Sequence, residues 1–294
     1  MTQHSARDGA TNARVSALFV HPIKSAAAIA VDSLDLDDRG AVGDRRWLVV
    51  DESGMQITAR ETPALCLVRP RFVDADATPG MRKNVDGALW VDAPGLARER
   101  VDLPNTSTTR PVRVWNDTVE AHDAGDVVAA WMSDAIGRHC RVVRLADQAA
   151  RPLAPKYAGP LSFVGRRVAF SDGAPLLILG QASVDALSER LVEQGHEPMH
   201  FARFRPNIVL SDTRPHDEDT WSLIRIGNVR IGIGSPCMRC VMTTIDPVTG
   251  EAGIEPLRML ATYRRQDGHV MFGMNATNEG SGVIHVGEAV DFVS

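Results

Sequence analysis

The chain contains one short stretch in which soft metal ligands lie beside a positive charge. It reads Ser235-Pro236-Cys237-Met238-Arg239-Cys240-Val241-Met242-Thr243-Thr244-Ile245-Asp246-Pro247, and it holds two of the four cysteines. The alternating residues Val229-Arg230-Ile231-Gly232-Ile233-Gly234 predict a strand that leads into this stretch. Thiolates are soft ligands, and a neighbouring guanidinium favours the ionised thiol. We therefore expect the rest of the chain to hold a metal cofactor against a cysteine loop.

Composition and charge exclude several classes of protein. The 294 residues are 44% hydrophobic, which suffices for one large or two medium domains. A net charge of -5 argues against a general nucleic-acid binder, and no apolar run approaches the roughly 18 residues of a membrane helix. Residues 1–12 lack the apolar core of a secretory signal and are expected to form a disordered tail. Four cysteines in so long a chain do not make a disulfide framework, so a reducing, cytoplasmic location is expected.

A change of composition near the middle of the chain predicts two domains. The first half consists mostly of short β-forming runs, with one helical pattern that begins after Asp123 as N-cap and ends near Gly137. Ala149-Ala150-Arg151-Pro152-Leu153-Ala154-Pro155 then interrupts the pattern with small residues and prolines. We therefore expect an N-terminal domain at residues 13–145 and a second domain at residues 146–294. The predicted fold class is mixed α/β, mostly β.

The cysteine loop has three chemical interpretations on spacing alone. Zinc sites need four ligands, and the chain has a single Cys-x-x-Cys, with Cys66 and Cys140 standing apart. Thioredoxin-type pairs normally open a helix, whereas Val241-Met242-Thr243-Thr244-Ile245 is β-branched and is not expected to continue one. Two inert thiols at a strand end are the plain structural alternative, because free cysteines are commonly buried and unreactive. We expect Cys66 and Cys140 to be buried thiols of that kind.

Four motifs in a fixed order resemble those of the MOSC family, the relatives of the C-terminal domain of molybdenum cofactor sulfurase. Two of them lie in the second half: Phe204-Arg205-Pro206-Asn207-Ile208-Val209, and Arg239-Cys240 with Thr243-Thr244-Ile245-Asp246-Pro247-Val248-Thr249-Gly250. The other two are similar to hallmarks of the β-barrel domain that precedes MOSC in one branch: His21-Pro22-Ile23-Lys24-Ser25 and Asp44-Arg45-Arg46-Trp47. The likeness covers nearly all of residues 13–294. It implies an N-terminal barrel-like domain packed on a MOSC β-barrel with flanking helices.

The resemblance also implies a cofactor and the residues that hold it. The cofactor is the molybdenum cofactor (Mo-molybdopterin), a molybdenum ion held by a pyranopterin dithiolene. Cys240 matches the protein ligand to the metal, which makes it the implied catalytic residue, and Cys237 matches a more variable cysteine. The remaining implied cofactor contacts come from both halves of the chain and are Lys24, Ser25, Arg45, Asp172, Gly173, Arg205, Asn207, Arg239 and Asn275. Asn275 stands where the amidoxime-reducing branch carries a tyrosine and bacterial relatives carry an asparagine.

The chemistry of these side chains agrees with an anionic, phosphate-bearing cofactor. Lysine acts on such groups as a point charge and arginine as a bidentate fork. Asn207 can donate to and accept from pterin edges, and Gly173 permits close approach of a backbone. Taken alone, Lys24 is more simply a solvated loop lysine. Arg45 and Arg46 would point to opposite faces of a strand, so at most one faces a pocket; both can equally be surface charges, or one can pair with Asp44.

The branch that the sequence resembles includes mitochondrial amidoxime-reducing components and bacterial reductases of N-hydroxylated bases. It implies a molybdenum-dependent oxidoreductase that reduces N–O bonds of small N-hydroxylated substrates. The chain has no iron–sulfur cysteine set and no Gly-x-Gly-x-x-Gly after a strand, so electrons are expected from a separate reductase, ferredoxin or cytochrome. The alternative is a protein that carries the cofactor or its sulfur without turnover. A cofactor-free structural module is the third possibility.

Overall fold

Strands account for most of the regular structure in the computed structural model, which describes residues 12–73, 85–149, 151–162 and 164–293. The expected tail at residues 1–12 lies outside these ranges except for Asn12. In the described residues no helix is long and apolar enough to cross a membrane. The prediction of a mixed, mostly β fold is confirmed.

The strands are short in the first half, and two in the second half are long. Those of the first half are β1 Arg14–Val20, β2 Ile29–Val31, β3 Ser33–Asp37, β4 Gly40–Ala41, β5 Trp47–Val50, β6 Arg69–Phe72, β7 Leu89–Asp92, β8 Glu99–Val101, β9 Arg110–Val114, β10 Asp117–Asp123 and β11 Arg141–Leu145. Those of the second half are β12 Leu176–Gly180, β13 Ile208–Ser211, β14 Leu223–Ile226, β15 Val229–Arg239, β16 Arg265–Gln266, β17 His269–Glu279, β18 Gly282–His285 and β19 Val290–Val293.

Three α-helices lie within the described residues: α1 Asp126–Ile136, α2 Gln181–Glu193 and α3 Leu257–Tyr263. Helix α1 ends as predicted at Gly137, whose φ of 65° is the left-handed conformation that glycine adopts readily. Its predicted start was wrong, because the N-cap is Gly125 and Asp123 ends β10. The Asp123 carboxylate instead accepts a 2.8 Å hydrogen bond from the Gly125 backbone N–H and binds Arg141.

The largest sheet joins the two halves of the chain. Its strands run in the order β19-β14-β15-β17-β12-β13-β1-β2, with β16 added to β17. Strand β1 pairs antiparallel with β13, and β3 pairs with β18 in a smaller sheet with β4, so N-terminal strands complete C-terminal sheets. The other sheets, β5-β11-β10-β9 and β6-β7-β8, belong to the first half alone. A shared core that includes Trp47, Leu65, Ile178 and Met274 fixes the halves against each other.

The long β15–β17 ladder carries the cysteines. The predicted strand ends at Gly234, but β15 continues to Arg239, with register shifts around Pro236. Cys237 therefore lies on an irregular strand, and Cys240 follows its end. A Cβ at Gly234 would lie 2.6 Å from the Tyr157 carbonyl oxygen, so glycine is required where residues 157–159 cross the strand.

Candidate functional site

A cavity of about 1060 Å³ lies between residues of the two halves, and we call it the central cavity. All ten residues that the sequence analysis selected line it: Lys24, Ser25, Arg45, Asp172, Gly173, Arg205, Asn207, Arg239, Cys240 and Asn275. Its volume is at the upper end of the roughly 300–1,000 Å³ typical of small-molecule sites, so it has room for a large ligand.

Several cavity residues have a strained backbone. Ser25, Arg45, Trp115 and Arg205 have φ values of 70°, 48°, 58° and 57°. Residues other than glycine rarely adopt positive φ, and such strain concentrates at functional sites. Arg205 owes its conformation to its place as C-cap of the 3₁₀ helix Phe201–Phe204. The positive φ values of Arg45 and Arg205 accompany the entry of these two basic side chains into the cavity, from loops that are distant in sequence.

Lys24 is buried in the wall of the cavity, so its interpretation as a solvated loop lysine was wrong. Its side chain is 8% exposed, with Nζ 2.6 Å from Asp172 Oδ1 and 2.8 Å from the Phe170 carbonyl oxygen. Burial lowers the pKa of Lys24 to about 8, although the Asp172 charge acts to raise it. The folded protein therefore holds a lysine with a lowered pKa, close to an ionised carboxylate.

We expect the free energy of unfolding of the wild type to rise, relative to that of Lys24→Met, between pH 8 and pH 10.5. Below pH 8, Lys24 is protonated in the folded and unfolded chains, and the folded state bears the full cost of the buried charge. Between these pH values only the unfolded chain keeps the proton, so stability rises with pH, by up to about 3 kcal/mol. Urea unfolding at several pH values measures the difference. The exposed Lys156→Met variant is the control and should follow the wild type; an equal pH dependence in all three proteins would contradict this assignment.

Asp172 is the meeting point of three donors. Besides Lys24, Arg60 Nη2 donates to Oδ2 at 3.0 Å, and the Trp115 indole N–H donates to Oδ1 at 3.0 Å. Desolvation inside the cavity acts to raise the pKa of Asp172, but the charges of Lys24 and Arg60 outweigh this effect and hold that pKa far below its usual range. The carboxylate stays ionised, and because its side chain is 55% exposed, it faces the open space of the cavity.

Arg60 is the functional residue that the sequence analysis missed. Its Nε donates to Cys240 Sγ at 3.1 Å, while its guanidinium lies 4.4 Å from the centre of the Trp115 ring. The guanidinium bonded to Cys240 is thus that of Arg60, whereas Arg239, its neighbour in sequence, donates to the carbonyl oxygens of Phe272 and Phe204 at 2.7 and 3.0 Å. Arg60 follows Thr58-Ala59 in a polar turn, a context with no motif that distinguishes it from a surface arginine.

Asn207 is fully buried, and its amide is already satisfied by the protein. Its Oδ1 accepts from Arg45 Nη1 at 3.1 Å and from the Leu177 backbone N–H at 3.2 Å. Its Nδ2 donates to Phe19 O and to Asp44 Oδ1, each at 3.1 Å. All of its hydrogen-bonding capacity is used, so its side chain has none left for pterin edges. The geometry makes Asn207 a link between the halves that orients Arg45.

The paired arginines 45 and 46 separate as expected, with only one facing the cavity. Arg45 lines it and pairs with Asp44, whereas Arg46 is buried on another side and binds Asp37 at 2.6 Å. Arg45 adopts its direction through positive φ rather than by strand alternation, because β5 begins only at Trp47. The prediction that at most one of the two arginines faces the cavity therefore holds, but because of the backbone conformation of Arg45 and not because of strand alternation.

Two other predicted contacts have protein partners. Gly173 lies against the Tyr157 ring, whose nearest atom would be 2.3 Å from an added Cβ, so a larger residue here would have to displace that ring. Asn275 Nδ2 donates to the carbonyl oxygens of Ser235 and Pro236 at 3.1 and 3.3 Å. It thereby supports the irregular part of β15 just before the cysteines.

The four cysteines differ in their surroundings. Cys66 and Cys140 are buried as predicted, and burial raises the pKa of both thiols. Cys237 and Cys240 are half-buried on the cavity wall. Burial also raises the pKa of Cys237, whose Sγ has only a 3.8 Å contact with Met238 O. Val241–Thr244 forms a single 3₁₀ turn after Cys240, whereas we expected no helical residues there.

Comparisons with known proteins match each half of the chain to a domain family. Residues 12–139 match the family model of the MOSC N-terminal beta barrel domain, and residues 165–291 match that of the MOSC domain. The chain is 34% identical over 288 residues to mitochondrial amidoxime-reducing component 1 of Danio rerio, an alignment that covers 94% of this chain and 83% of that protein. The chain belongs to the MOSC family. Both expected parts, a β-barrel N-terminal domain and a MOSC domain, are thus confirmed.

This MOSC protein resembles two kinds of relatives. It is 30% identical to mitochondrial amidoxime-reducing component 1 of Homo sapiens, with 94% of this chain and 82% of that protein aligned. It is also 30% identical to molybdenum cofactor sulfurase of Danio rerio, where the alignment covers 99% of this chain but 35% of that protein. The matched domains leave residues 140–164 between them, and the boundary at residue 146 stays a prediction.

The cavity of the MOSC protein suits an anionic group that brings most of its own metal ligands. Within the described part of the chain, the buried nitrogen atoms Arg60 Nη1, Arg205 Nη2 and Arg239 Nη2 have no hydrogen-bond partner. Buried donors of this kind are costly unless a ligand satisfies them. Among the residues described, no group of three or more His, Cys, Asp or Glu side chains could hold a metal ion alone. A cavity wall that carries cysteine thiols together with unsatisfied guanidinium nitrogens therefore fits the molybdenum cofactor, whose dithiolene supplies further sulfur ligands.

Proposed function

We propose that this MOSC protein is a molybdenum-cofactor-dependent reductase of N-hydroxylated compounds. The observation that supports the proposal is the convergence of basic side chains from both halves of the chain on the cavity that Cys240 also lines; among them are Lys24, Arg60, Arg205 and Arg239. Sequence similarity gives additional support, because the amidoxime-reducing components align with this chain over most of their length. Together they favour an enzyme that binds an anionic cofactor against a thiolate.

In this proposal Cys240 supplies the protein ligand to molybdenum, and the unsatisfied nitrogens of Arg205 and Arg239 bind the anionic part of the cofactor. The bound cofactor supplies the two-electron redox chemistry by which an N–O bond is reduced. Arg45, oriented by Asn207, adds a further positive charge at the same wall. Ser25 contributes a hydroxyl whose direction is set by its positive φ.

The residues beside the thiol have separate tasks. Asp172 stays ionised, so it accepts hydrogen bonds from the O–H or N–H groups of a substrate and thereby orients the N–O bond. Arg60 holds Asp172 and the Cys240 sulfur apart and balances both negative charges. Lys24, whose pKa is about 8, holds a proton that it can release more readily than an ordinary lysine does.

Transfer of the cofactor or its sulfur without turnover is the alternative, and the likeness to molybdenum cofactor sulfurases favours it. The cytoplasmic location and the separate electron donor stay predictions from the sequence.

Turnover distinguishes the two functions. Elemental analysis by mass spectrometry should find molybdenum in the purified protein, and benzamidoxime should be reduced to benzamidine with reduced viologen as donor. Each reduction consumes two electrons and two protons and releases one water. NADH alone should not support the reaction, because the chain has no nucleotide-binding or iron–sulfur motif. Bound molybdenum without reduction of any N-hydroxylated substrate would favour the carrier.

We expect Arg205→Met to lower molybdenum content several-fold while leaving the melting temperature of the apoprotein nearly unchanged. Arg205 is not the surface arginine that its loop position suggests. Burial lowers its pKa to about 10, and the nearby Arg45 charge adds to this effect. Removing so unfavourable a charge offsets the loss of its 2.7 Å bond to the Ala26 carbonyl oxygen, which is worth about 1 kcal/mol. Methionine keeps the side-chain length.

The control for this prediction is Arg230→Met, which removes an exposed arginine paired with Glu279 at 2.6 Å. Its molybdenum content should equal that of the wild type. A fall of many degrees in the melting temperature of Arg205→Met, with molybdenum retained per folded molecule, would show that Arg205 serves the fold and not the cofactor.

A further inference from the structure

A second concave surface lies behind the cysteine turn, and we call it the rear groove. It has a volume of about 360 Å³, and its lining includes Val241, Thr244, Ile254, Leu257, Arg258 and Arg265. Val241 and Ile254 are 52% and 60% exposed, and they lie together at this surface. Exposed apolar groups that cluster around a groove mark interaction sites more often than scattered ones do.

The 3₁₀ turn Val241–Thr244 separates the rear groove from the central cavity. Met242 and Thr243 line the central cavity, whereas Val241 and Thr244 line the rear groove. Cys240 opens onto the central cavity, and a single peptide bond joins it to Val241 in the groove. A protein seated in the groove would therefore approach the proposed metal ligand closely.

The charges of the groove indicate what kind of protein it fits. Arg258 and Arg265 are the charged side chains in its described lining. Arg258 pairs with Glu255 at 2.6 Å, but the arginine is 55% exposed and the glutamate only 11%, so the guanidinium is presented to solvent. The chain as a whole has a net charge of -5, which makes a positive surface at this place distinctive. Such a local field attracts and orients an acidic partner.

We propose that the rear groove is the docking site of an acidic one-electron carrier protein that supplies the reductase. This inference rests on the proposed function. Two reduced carriers deliver one electron each and leave oxidised. With two protons, these electrons convert one N–OH group to N–H and release one water.

The test compares two electron sources for the same molybdenum-loaded variants. The protein sources are a reduced plant-type ferredoxin and the reduced soluble haem domain of a b-type cytochrome, both acidic, and the chemical source is reduced methyl viologen. Ile254→Asp and Arg265→Glu should lower kcat/KM for the carrier at least about tenfold, since like charges then oppose docking. Turnover with viologen should stay within twofold of the wild type. Raised ionic strength should slow the carrier reaction of the wild type more than that of Arg265→Glu.

Two matched controls decide the result. Val248→Asp changes a still more exposed valine of the same loop outside the groove lining, and Arg225→Glu reverses an exposed arginine elsewhere. Both should behave as the wild type with either donor. Equal effects in controls and groove variants, or no effect in the groove variants, would overturn the docking site. The docking site would also be overturned if the wild type turned over with reduced viologen but with neither carrier protein. If the wild type showed no turnover even with reduced viologen, that result would instead contradict the proposed function.

Discussion

Cys240→Ser is expected to abolish reduction of N-hydroxylated substrates, whereas Cys237→Ser should retain most of it. Serine replaces a soft thiolate with a hard hydroxyl, which molybdenum in a sulfur-rich site should bind poorly. Changes to residues that only support a metal ligand typically cost 10–100-fold, so loss of the ligand itself should leave below about 1% of wild-type activity. The cofactor can remain bound in Cys240→Ser, because the contacts of Arg205 and Arg239 do not depend on the sulfur.

The structure gives the two thiols different partners. The Cys240 Sγ accepts a 3.1 Å hydrogen bond from Arg60. The backbone carbonyl oxygen of Cys240 accepts a hydrogen bond from the Thr243 N–H at the start of the 3₁₀ turn. Cys237 lies on β15, and none of the described cationic side chains donates to its sulfur. The decisive measurement is activity per bound molybdenum. An inactive Cys237→Ser with an active Cys240→Ser would reverse the assignment, and two fully active variants would show that no thiolate of this loop holds the metal.

The sequence predicts which residues surround the cavity but not how each one acts there. The family's motifs were sufficient to select Lys24, Arg45 and Arg205, and their basic side chains suit an anionic ligand. Positive φ at Ser25 and Arg205 could not be predicted, since tertiary packing imposes conformations that the local sequence disfavours. The burial of Lys24 was missed for the same reason, because a loop lysine is ordinarily solvated.

The sequence pattern also could not predict the register of β15 or the hydrogen-bond partners of Asn207. The alternation of β15 stops at Gly234, yet pairing with β17 continues through shifted register to Arg239. Asn207 has the right chemistry for a ligand contact, but the other half of the chain occupies all of its donors and acceptors. Arg60 belonged to no recognised motif. It became important only because folding brings it beside Cys240, which is 180 residues away in sequence. Contacts between distant segments therefore decide roles that composition only permits.

Arg60→Gln is expected to lower turnover about 10–100-fold while molybdenum content stays within twofold of the wild type. The guanidinium lies about 3 Å from both the Cys240 sulfur and the Asp172 carboxylate, and it is stacked on Trp115. Glutamine has no charge and cannot balance two anions, so the thiolate and the carboxylate would repel each other across the vacated position. We also expect the sulfur-to-molybdenum charge-transfer absorption to shift, because the ligand loses its cationic hydrogen-bond donor. A merely structural role would leave that absorption unchanged.

A double substitution tests whether Arg60 acts through this charge balance. Asp172→Asn removes one of the two anions, so Arg60→Gln should cost less in an Asp172→Asn background than in the wild type. The coupling arises because both residues share one ion pair of 3.0 Å. Arg138→Gln is the control, since that exposed arginine pairs at 3.4 Å with Glu61, the neighbour of Arg60 in sequence, and should leave turnover and absorption unchanged. Strict additivity of Arg60→Gln and Asp172→Asn, with an unaltered absorption spectrum, would exclude Arg60 as the residue that balances the thiolate against the carboxylate.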